Sequence, residues 1–177
     1  SVGNILPYVD LKFRPIAAED DRAYGEILVR TPFMFDGYLE ANGDIAANTL
    51  DGFFATGDLG YMDEAGQLIV TGRCKDIIKK GGQLVSLREI EVLAMQHPAV
   101  VNAATTPIGH AFYGESYRLF LQLSASADAA ALDSVRTFLY ENLARYKWPE
   151  QIEIVDMFPQ TGSGKIRKFL LRTAVQP

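Results

Sequence analysis

Through the first part of the chain, short apolar runs are separated by turn-forming residues. Residues 8–14 read as extended and 15–22 as a polar loop. Gly25-Glu26-Ile27-Leu28-Val29-Arg30 opens after a glycine and is rich in branched side chains, which predicts a strand. Residues 40–52 are dominated by Asn, Asp, Gly and Ala and predict a loop with one helical turn. Two further strand-like runs, 59–62 and 67–71, flank Asp63-Glu64-Ala65-Gly66, a hairpin turn. The aromatics Phe33, Phe35, Phe53 and Phe54 fall in this part and are expected in its core.

After Lys75 the period changes. Residues 76–80 and Leu84-Val85 flank Gly81-Gly82, a strand, a glycine turn and a return strand. Ser86 and Glu89 have the spacing of a capping box, and Ile90, Leu93 and Ala94 supply a helical stripe that His97-Pro98 ends. Residues 100–107 and 117–123 predict strands. A second helix opens at Asp128 or Asp133, with Leu132, Val135, Leu139 and Leu143 on one face. Residues 151–155 predict a strand and 166–174 a terminal helix. The expected fold class is therefore α+β: a small β-rich unit over 1–74, then a compact α+β unit over 75–177 with a three-stranded sheet and flanking helices.

Composition narrows the picture. The chain has 177 residues, 48% of them hydrophobic, and a net charge of -5. It carries no global basic field, so nucleic acid is not an expected partner. Its single cysteine, Cys74, excludes an internal disulfide and reads as a small packed residue. No apolar run is long enough to span a bilayer, and the start lacks a signal-peptide pattern, so a cytoplasmic location is expected. The chain opens on Ser1 and is expected to be a fragment.

Several residues could carry chemistry. Asp58 follows Thr56-Gly57 at an expected tight turn, where it fits a turn-capping acid as well as an acceptor for a ribose diol. Arg73, at a strand end, could hold a phosphate or ribose hydroxyl, or simply pair with Asp58 or Asp76. Lys165 stands in Thr161-Gly162-Ser163-Gly164-Lys165, a loop free to expose backbone amides, and could reach a phosphate; the bland reading is an exposed lysine at a helix start. The Walker A pattern is absent, since Ile166 follows the lysine. Lys79-Lys80-Gly81-Gly82 reads from its chemistry as a plain hairpin with solvated lysines. His97 and His110 lack metal-site spacing, and no metal site is expected in the chain.

In order along the chain, these segments resemble the adenylate-forming superfamily of acyl- and aryl-CoA synthetases, peptide-synthetase adenylation domains and luciferases. Gly25-Glu26-Ile27 through Gly37-Tyr38-Leu39 resembles that family's G-E-L…G-Y segment. Gly52-Phe53-Phe54-Ala55-Thr56-Gly57-Asp58 resembles G-W-[FY]-x-T-G-D. Gly72-Arg73-Cys74-Lys75-Asp76-Ile77-Ile78-Lys79 with Glu89-Ile90-Glu91 resembles the hinge motif, Tyr146-Lys147-Trp148-Pro149 the Y-K-x-P segment, and residues 159–167 the P-x-T-x-x-G-K-I motif. The resemblance runs from about residue 1 to residue 173.

It implies roles position by position. Asp58 and Arg73 match the residues that bind the ATP ribose, and Lys79 matches a nucleotide-contacting lysine of some plant-type ligases. Lys75 matches the hinge about which the small domain swings. Gly81 and Gly82 fall in the loop lining the thiol-donor tunnel, and Lys165 matches the catalytic lysine on the carboxylate and α-phosphate. ATP, Mg2+ and coenzyme A are the implied cofactors, with the Mg2+ ligands, the phosphate loop and the acyl pocket in a missing N-terminal large domain. Residues 1–74 would then be the last β subdomain of that large domain and 75–177 a mobile lid, a part expected to be inactive alone. Leu87 stands where the family has proline. The expected function is an acid–thiol ligase forming acyl- or aryl-CoA. The alternatives are an adenylation domain loading a carrier protein and a non-catalytic interaction module of the same fold.

Overall fold

The computed structural model describes residues 1–16, 24–46, 49–125, 127 and 130–173. The polar-loop positions 17–22, the helix-start candidate Asp128 and the end of the expected last helix at 174 lie outside them. The chain divides into two compact units, Ser1–Lys75 and Asp76–Pro177.

The first unit is built on antiparallel strands. They are β1 (Gly3–Asn4), β2 (Asp10–Pro15), β3 (Gly25–Arg30), β4 (Tyr38–Leu39), β5 (Ile45–Ala46), β6 (Thr49–Leu50), β7 (Phe53–Met62) and β8 (Gln67–Arg73). The main sheet runs β1-β8-β7-β3-β2, with β6 also on β7, and β4 pairs with β5 alone. The hairpin between β7 and β8 closes as the sequence predicts: Asp63 Oδ1 accepts from the Ala65 and Gln67 amides at 3.0 and 2.8 Å, and Gly66 takes φ 73°. Gly60 is fixed by close approach, since a Cβ there would lie 2.3 Å from the Ile69 carbonyl oxygen.

Two expectations change here. The helical turn placed within 40–52 is absent among the described residues; the backbone instead pairs Tyr38 with Ala46 and Leu39 with Ile45, around a turn closed by the Gly43 amide on the Glu40 carbonyl at 3.0 Å. Nor do the aromatics form one core. Phe53 is buried with Ile27, Leu28 and Leu59, but Phe33 is 79% and Phe35 46% exposed. Both lie in the segment between β3 and β4, off the sheet, where Phe35 meets only the edges of Tyr38 and Phe54 among the aromatic rings.

The second unit comprises β9 (Ile77–Lys80), β10 (Gln83–Ser86), α1 (Leu87–Ala94), β11 (Val100–His110), β12 (Gly114–Leu123), α2 (Ala131–Asn142), β13 (Gln151–Ile154) and α3 (Lys168–Thr173). Its sheet has five strands where three were expected, in the order β10-β9-β12-β11 with β13 also on β12. The β9–β10 hairpin joins through Lys80 opposite Gly114, and β13 adds parallel to β12 from Arg118↔Gln151 onward. Ser86 caps α1 by accepting the Glu89 amide at 3.3 Å. Leu87, Ile90 and Ala94 carry the helix onto a core with Val85, Leu119, Leu121, Val135 and Leu139. Complete burial of one such side chain is worth about 1.5–3 kcal/mol. Asp133 does not cap α2 but lies in its first turn, and Ala130 occupies the cap position. The last helix starts at Lys168, two residues later than expected, because Ile166 is held extended in a bridge to Gln160.

Candidate functional site

In the first unit, Asp58 is placed by a bulge and not by the turn expected for it. Strand β3 pairs Glu26 with Leu59 but Leu28 with Ala55, so Thr56, Gly57 and Asp58 all stand opposite Ile27. Gly57 takes φ 74°, a conformation that glycine reaches without Cβ strain. The Thr56 hydroxyl donates to the Ile27 carbonyl at 2.8 Å and accepts the Asp58 amide at 3.0 Å, while the Gly57 amide donates to Glu26 Oε1 at 3.2 Å. Glu26 is itself paired with Arg14.

Across the ladder, Asp58 stands directly opposite Arg73, and Arg73 Nε lies 3.1 Å from Asp58 Oδ1. Both side chains face solvent, with 36% and 60% exposure respectively. Among the described residues the second carboxylate oxygen has no partner. A carboxylate with a free oxygen can accept a hydroxyl of a diol, while the guanidinium beside it donates to another acceptor. The surface ion pair weighed from sequence is thus present, and it leaves capacity on both partners. Next to it, burial pushes the Cys74 thiol up from its ordinary value, with the Glu26 carboxylate adding to the shift, so the sulfur stays protonated and unreactive near neutral pH. An open cleft of about 390 Å³ lined by Pro7, Tyr8, Asp10, Arg30, Thr31 and Pro32 contains none of these groups.

Lys75 is exposed within the 3₁₀ turn Cys74–Asp76, and the division between the two units falls immediately after it. In the second unit, Lys79 is exposed and its amide donates to Glu115 Oε2 at 2.7 Å. Lys80 departs from the solvated reading: it is 7% exposed, its ammonium donates to the Trp148 carbonyl at 2.7 Å, and it lies 5.3 Å from the Tyr113 ring centroid. Burial lowers its pKa, against the opposing pull of Glu150. Gly81 and Gly82 form the turn with φ 56° and 86°, and a Cβ on Gly81 would come within 3.2 Å of Tyr113.

Lys165 sits on a small closed loop. The Thr161 amide donates to the Lys165 carbonyl at 2.8 Å, the Lys165 amide to Thr161 Oγ1 at 3.1 Å, and the Gly164 amide to the Thr161 carbonyl at 2.9 Å. Thr161 and Ser163 share a hydroxyl hydrogen bond of 2.9 Å. Lys165 is exposed and outside the helix, and its ammonium makes no hydrogen bond or ion pair with any described residue. The loop is therefore held by its own threonine while the charge it carries stays unclaimed.

Sequence reasoning missed one buried cluster. Glu91, 2% exposed, accepts from the Thr105 amide and hydroxyl at 2.8 and 2.7 Å and from the Lys168 ammonium at 2.6 Å. The signal was present: Glu91 occupies the apolar stripe of α1 with Leu87, Ile90 and Ala94, and an acid on a buried stripe needs partners. Glu89 also has a use beyond the helix cap, since Lys147 reaches both its carboxylate oxygens at 2.7 and 2.8 Å. Among the described residues no group of three or more His, Cys, Asp or Glu could hold a metal ion, and no helix is long and apolar enough to cross a membrane.

A family model described as the AMP-binding enzyme C-terminal domain matches residues 89–165. The chain is 40% identical over 151 residues to the medium-chain fatty-acid–CoA ligase of Escherichia coli, covering 84% of this chain and 26% of that protein. It is equally 40% identical, over 153 residues, to the 2,3-dihydroxybenzoate–AMP ligase of Bacillus subtilis, covering 85% and 28%. The structure superposes on ATP-bound MatB from Rhodopseudomonas palustris with a TM-score of 0.75 and 33% identity, covering 97% of this chain and 35% of that one. The chain thus spans between a quarter and a third of the curated relatives' length.

Proposed function

We propose, from the membership of this chain in the AMP-binding, adenylate-forming enzymes, to whose C-terminal part it corresponds, that it supplies the ribose clamp and the lysine-bearing lid of an ATP-dependent acid–thiol ligase. Such an enzyme joins a carboxylate to ATP, giving an acyl-adenylate and pyrophosphate, and then passes the acyl group to the thiol of coenzyme A with release of AMP. The observation that carries the reading is the exposed ammonium of Lys165, without a partner among the described residues, on a loop that its own residues keep closed.

The first step brings two anions together. An ammonium placed where charge concentrates in the transition state offsets that repulsion, and we assign this to Lys165. Asp58, with its free oxygen, accepts the ribose hydroxyls, and Arg73 adds a donor beside it. Lys79, exposed and uncommitted at its ammonium among the described residues, contacts the nucleotide. Mg2+ would supply further charge neutralisation at the phosphates; among the described residues the acids do not cluster to hold it, and its ligands are assigned to a large domain N-terminal to these residues.

The second step needs sulfur near the carbon that Lys165 had served. Rotation at Lys75 withdraws the lysine and presents the Gly81-Gly82 turn, whose missing side chains leave room for a pantetheine arm. Residues 1–74 are read as the end of the large domain and 75–177 as the moving lid. Because an aryl–AMP ligase matches this chain as well as an acyl–CoA ligase does, loading of a carrier protein is the second reading of the thiol step.

The test is acid-dependent ATP–pyrophosphate exchange by the full-length gene product across a panel of aliphatic and aromatic acids, followed by AMP release on adding coenzyme A. Exchange with at least one acid, and AMP release that requires the thiol, support the ligase. Exchange without any response to coenzyme A supports carrier loading. Silence with every acid supports a non-catalytic module.

A further inference from the structure

The cluster around Glu91 ties the Lys165 loop to the body of its unit. Glu91 is one of the most completely buried side chains in the chain, and one of its oxygens, Oε1, takes three donors: the Thr105 amide, the Thr105 hydroxyl and the Lys168 ammonium. Arg88 lies 3.5 Å from the other oxygen. Lys168 is the first residue of α3, three positions after Lys165. Its ammonium also lies 3.9 Å from Asp76 Oδ1, at the first residue of the unit.

Among the described residues, the Val155 amide on the Leu121 carbonyl at 2.9 Å and the Gln122 side-chain amide on the Asp156 carbonyl at 3.1 Å hold the chain ahead of the loop, and apolar packing adds to them. Phe158 before the loop and Leu171 after it pack with Ala104 and Phe120. Such contacts hold the segment down without fixing its direction, because apolar packing is not directional. Hydrogen bonds inside the loop, and the Arg167 amide on the Pro159 carbonyl at 2.8 Å, set its shape but not its seat. Lys168 on Glu91 is a directional tie from the loop's C-terminal end to α1 and, through Thr105, to β11.

We propose that Lys168 and Glu91 are a positioning pair for Lys165: their ion pair aims the loop that delivers the catalytic ammonium. This rests on the reading of Lys165 given above. Neither residue touches the reacting atoms. Breaking the pair leaves the ribose clamp and the thiol-side turn intact, so it slows adenylation by misplacing Lys165 and spares the thiol step. A misplacement of about 1 Å is enough for a loss of about 100-fold in rate.

The decisive variant of the full-length gene product is Glu91→Gln with Lys168→Met. It is charge-neutral at this site, and the amide oxygen can still accept from Thr105. Three companions are measured with it. Lys168→Arg retains a cation for Glu91. Thr105→Val removes a buried hydroxyl from the same carboxylate without touching the ion pair. Lys165→Ala reports the parent reading. Readouts are kcat and the KM for ATP in pyrophosphate exchange, single-turnover thioester formation from preformed acyl-adenylate, and thermal unfolding. The double variant is expected to lose about 100-fold in adenylation kcat with KM for ATP and thioester formation unchanged. Lys168→Arg should recover most of that loss, and Thr105→Val should unfold at lower temperature yet adenylate normally.

Normal adenylation by the double variant, with Lys165→Ala impaired, overturns the positioning pair and leaves the parent reading standing. Equal losses in both half-reactions, or losses in Thr105→Val that match those of the double variant, reduce the pair to a structural contact and likewise overturn it. Normal adenylation by Lys165→Ala overturns the parent reading and this inference together. Should the double variant not fold, Lys168→Gln alone takes its place, with the same two half-reactions deciding.

Discussion

Replacing Asp58 by Ala separates the two things this acid could be for. If Asp58 exists to hold the sheet, its loss should lower stability; if it exists to hold a ribose, its loss should lower nucleotide affinity and little else. The structure sets both magnitudes. The Arg73–Asp58 contact is 3.1 Å long, but the side chains are 60% and 36% exposed, so solvent and salt screen it. An exposed pair of this kind is worth about 0–1 kcal/mol. The bulge itself is secured by Thr56, Gly57 and Glu26, none of which needs the Asp58 side chain. Toward a bound ribose, an ionised carboxylate accepting two hydroxyls makes hydrogen bonds each worth about 1.5 kcal/mol or more. Two such bonds give a loss of about 3 kcal/mol, or about 100-fold in affinity. The assay is the dissociation constant for ATP of the full-length gene product, run beside denaturant unfolding of the same variant. A change in ATP affinity of less than about threefold would refute the ribose assignment. A stability loss above about 2 kcal/mol would refute the claim that the pair is incidental to the fold.

Two further outcomes follow from other sites. Tyr117 is fully buried, and its hydroxyl donates to the Lys147 carbonyl. Burial, with Glu89 and Tyr140 contributing, drives its pKa well above the ordinary 10.0, so above that pH the unfolded chain releases a proton that the folded chain keeps. Stability is then complete below pH 10 and falls above it by up to about 1.4 kcal/mol per pH unit; Tyr117→Phe should remove that part of the alkaline slope in equilibrium unfolding, and an unchanged slope would show that the hydroxyl is not the cause. Lys75→Pro fixes one backbone angle at the division between the units and should slow thioester formation more than adenylation; an unaltered second step would remove Lys75 as the pivot.

What could be read along the chain was local chemistry. The Asp63-to-Gly66 turn, the Gly81-Gly82 turn and the Ser86 cap each depend on residues within a few positions of one another, and each stands where the pattern places it. The ordered motifs also pointed to the adenylate-forming family, since their spacing survives without any knowledge of the fold. Features set by distant partners were not legible. The bulge at Asp58 exists because β3 slips register against β7, and nothing within residues 56–58 announces that slip. Lys80 looks like Lys79 in sequence, yet strand alternation turns it inward, where the Trp148 carbonyl waits from a segment far along the chain. Ile166 continues an apolar pattern into α3, but its backbone is already committed to Gln160. Phe33 and Phe35 read as core because aromatic residues usually are, yet their ring contacts with Tyr8, Tyr38 and Phe54 leave both exposed. Glu91 was the legible exception that went unread, an acid standing on an apolar stripe.

The role proposed for Lys165 is that its one ammonium serves the first half-reaction and stands aside for the second. Its most direct test is single-turnover kinetics of Lys165→Ala in the full-length gene product, with acyl-adenylate formation and thioester formation from preformed adenylate followed separately. Adenylate formation should fall by about 100-fold or more while thioester formation keeps its normal rate. Equal loss in the two steps, or a normal first step, would contradict it.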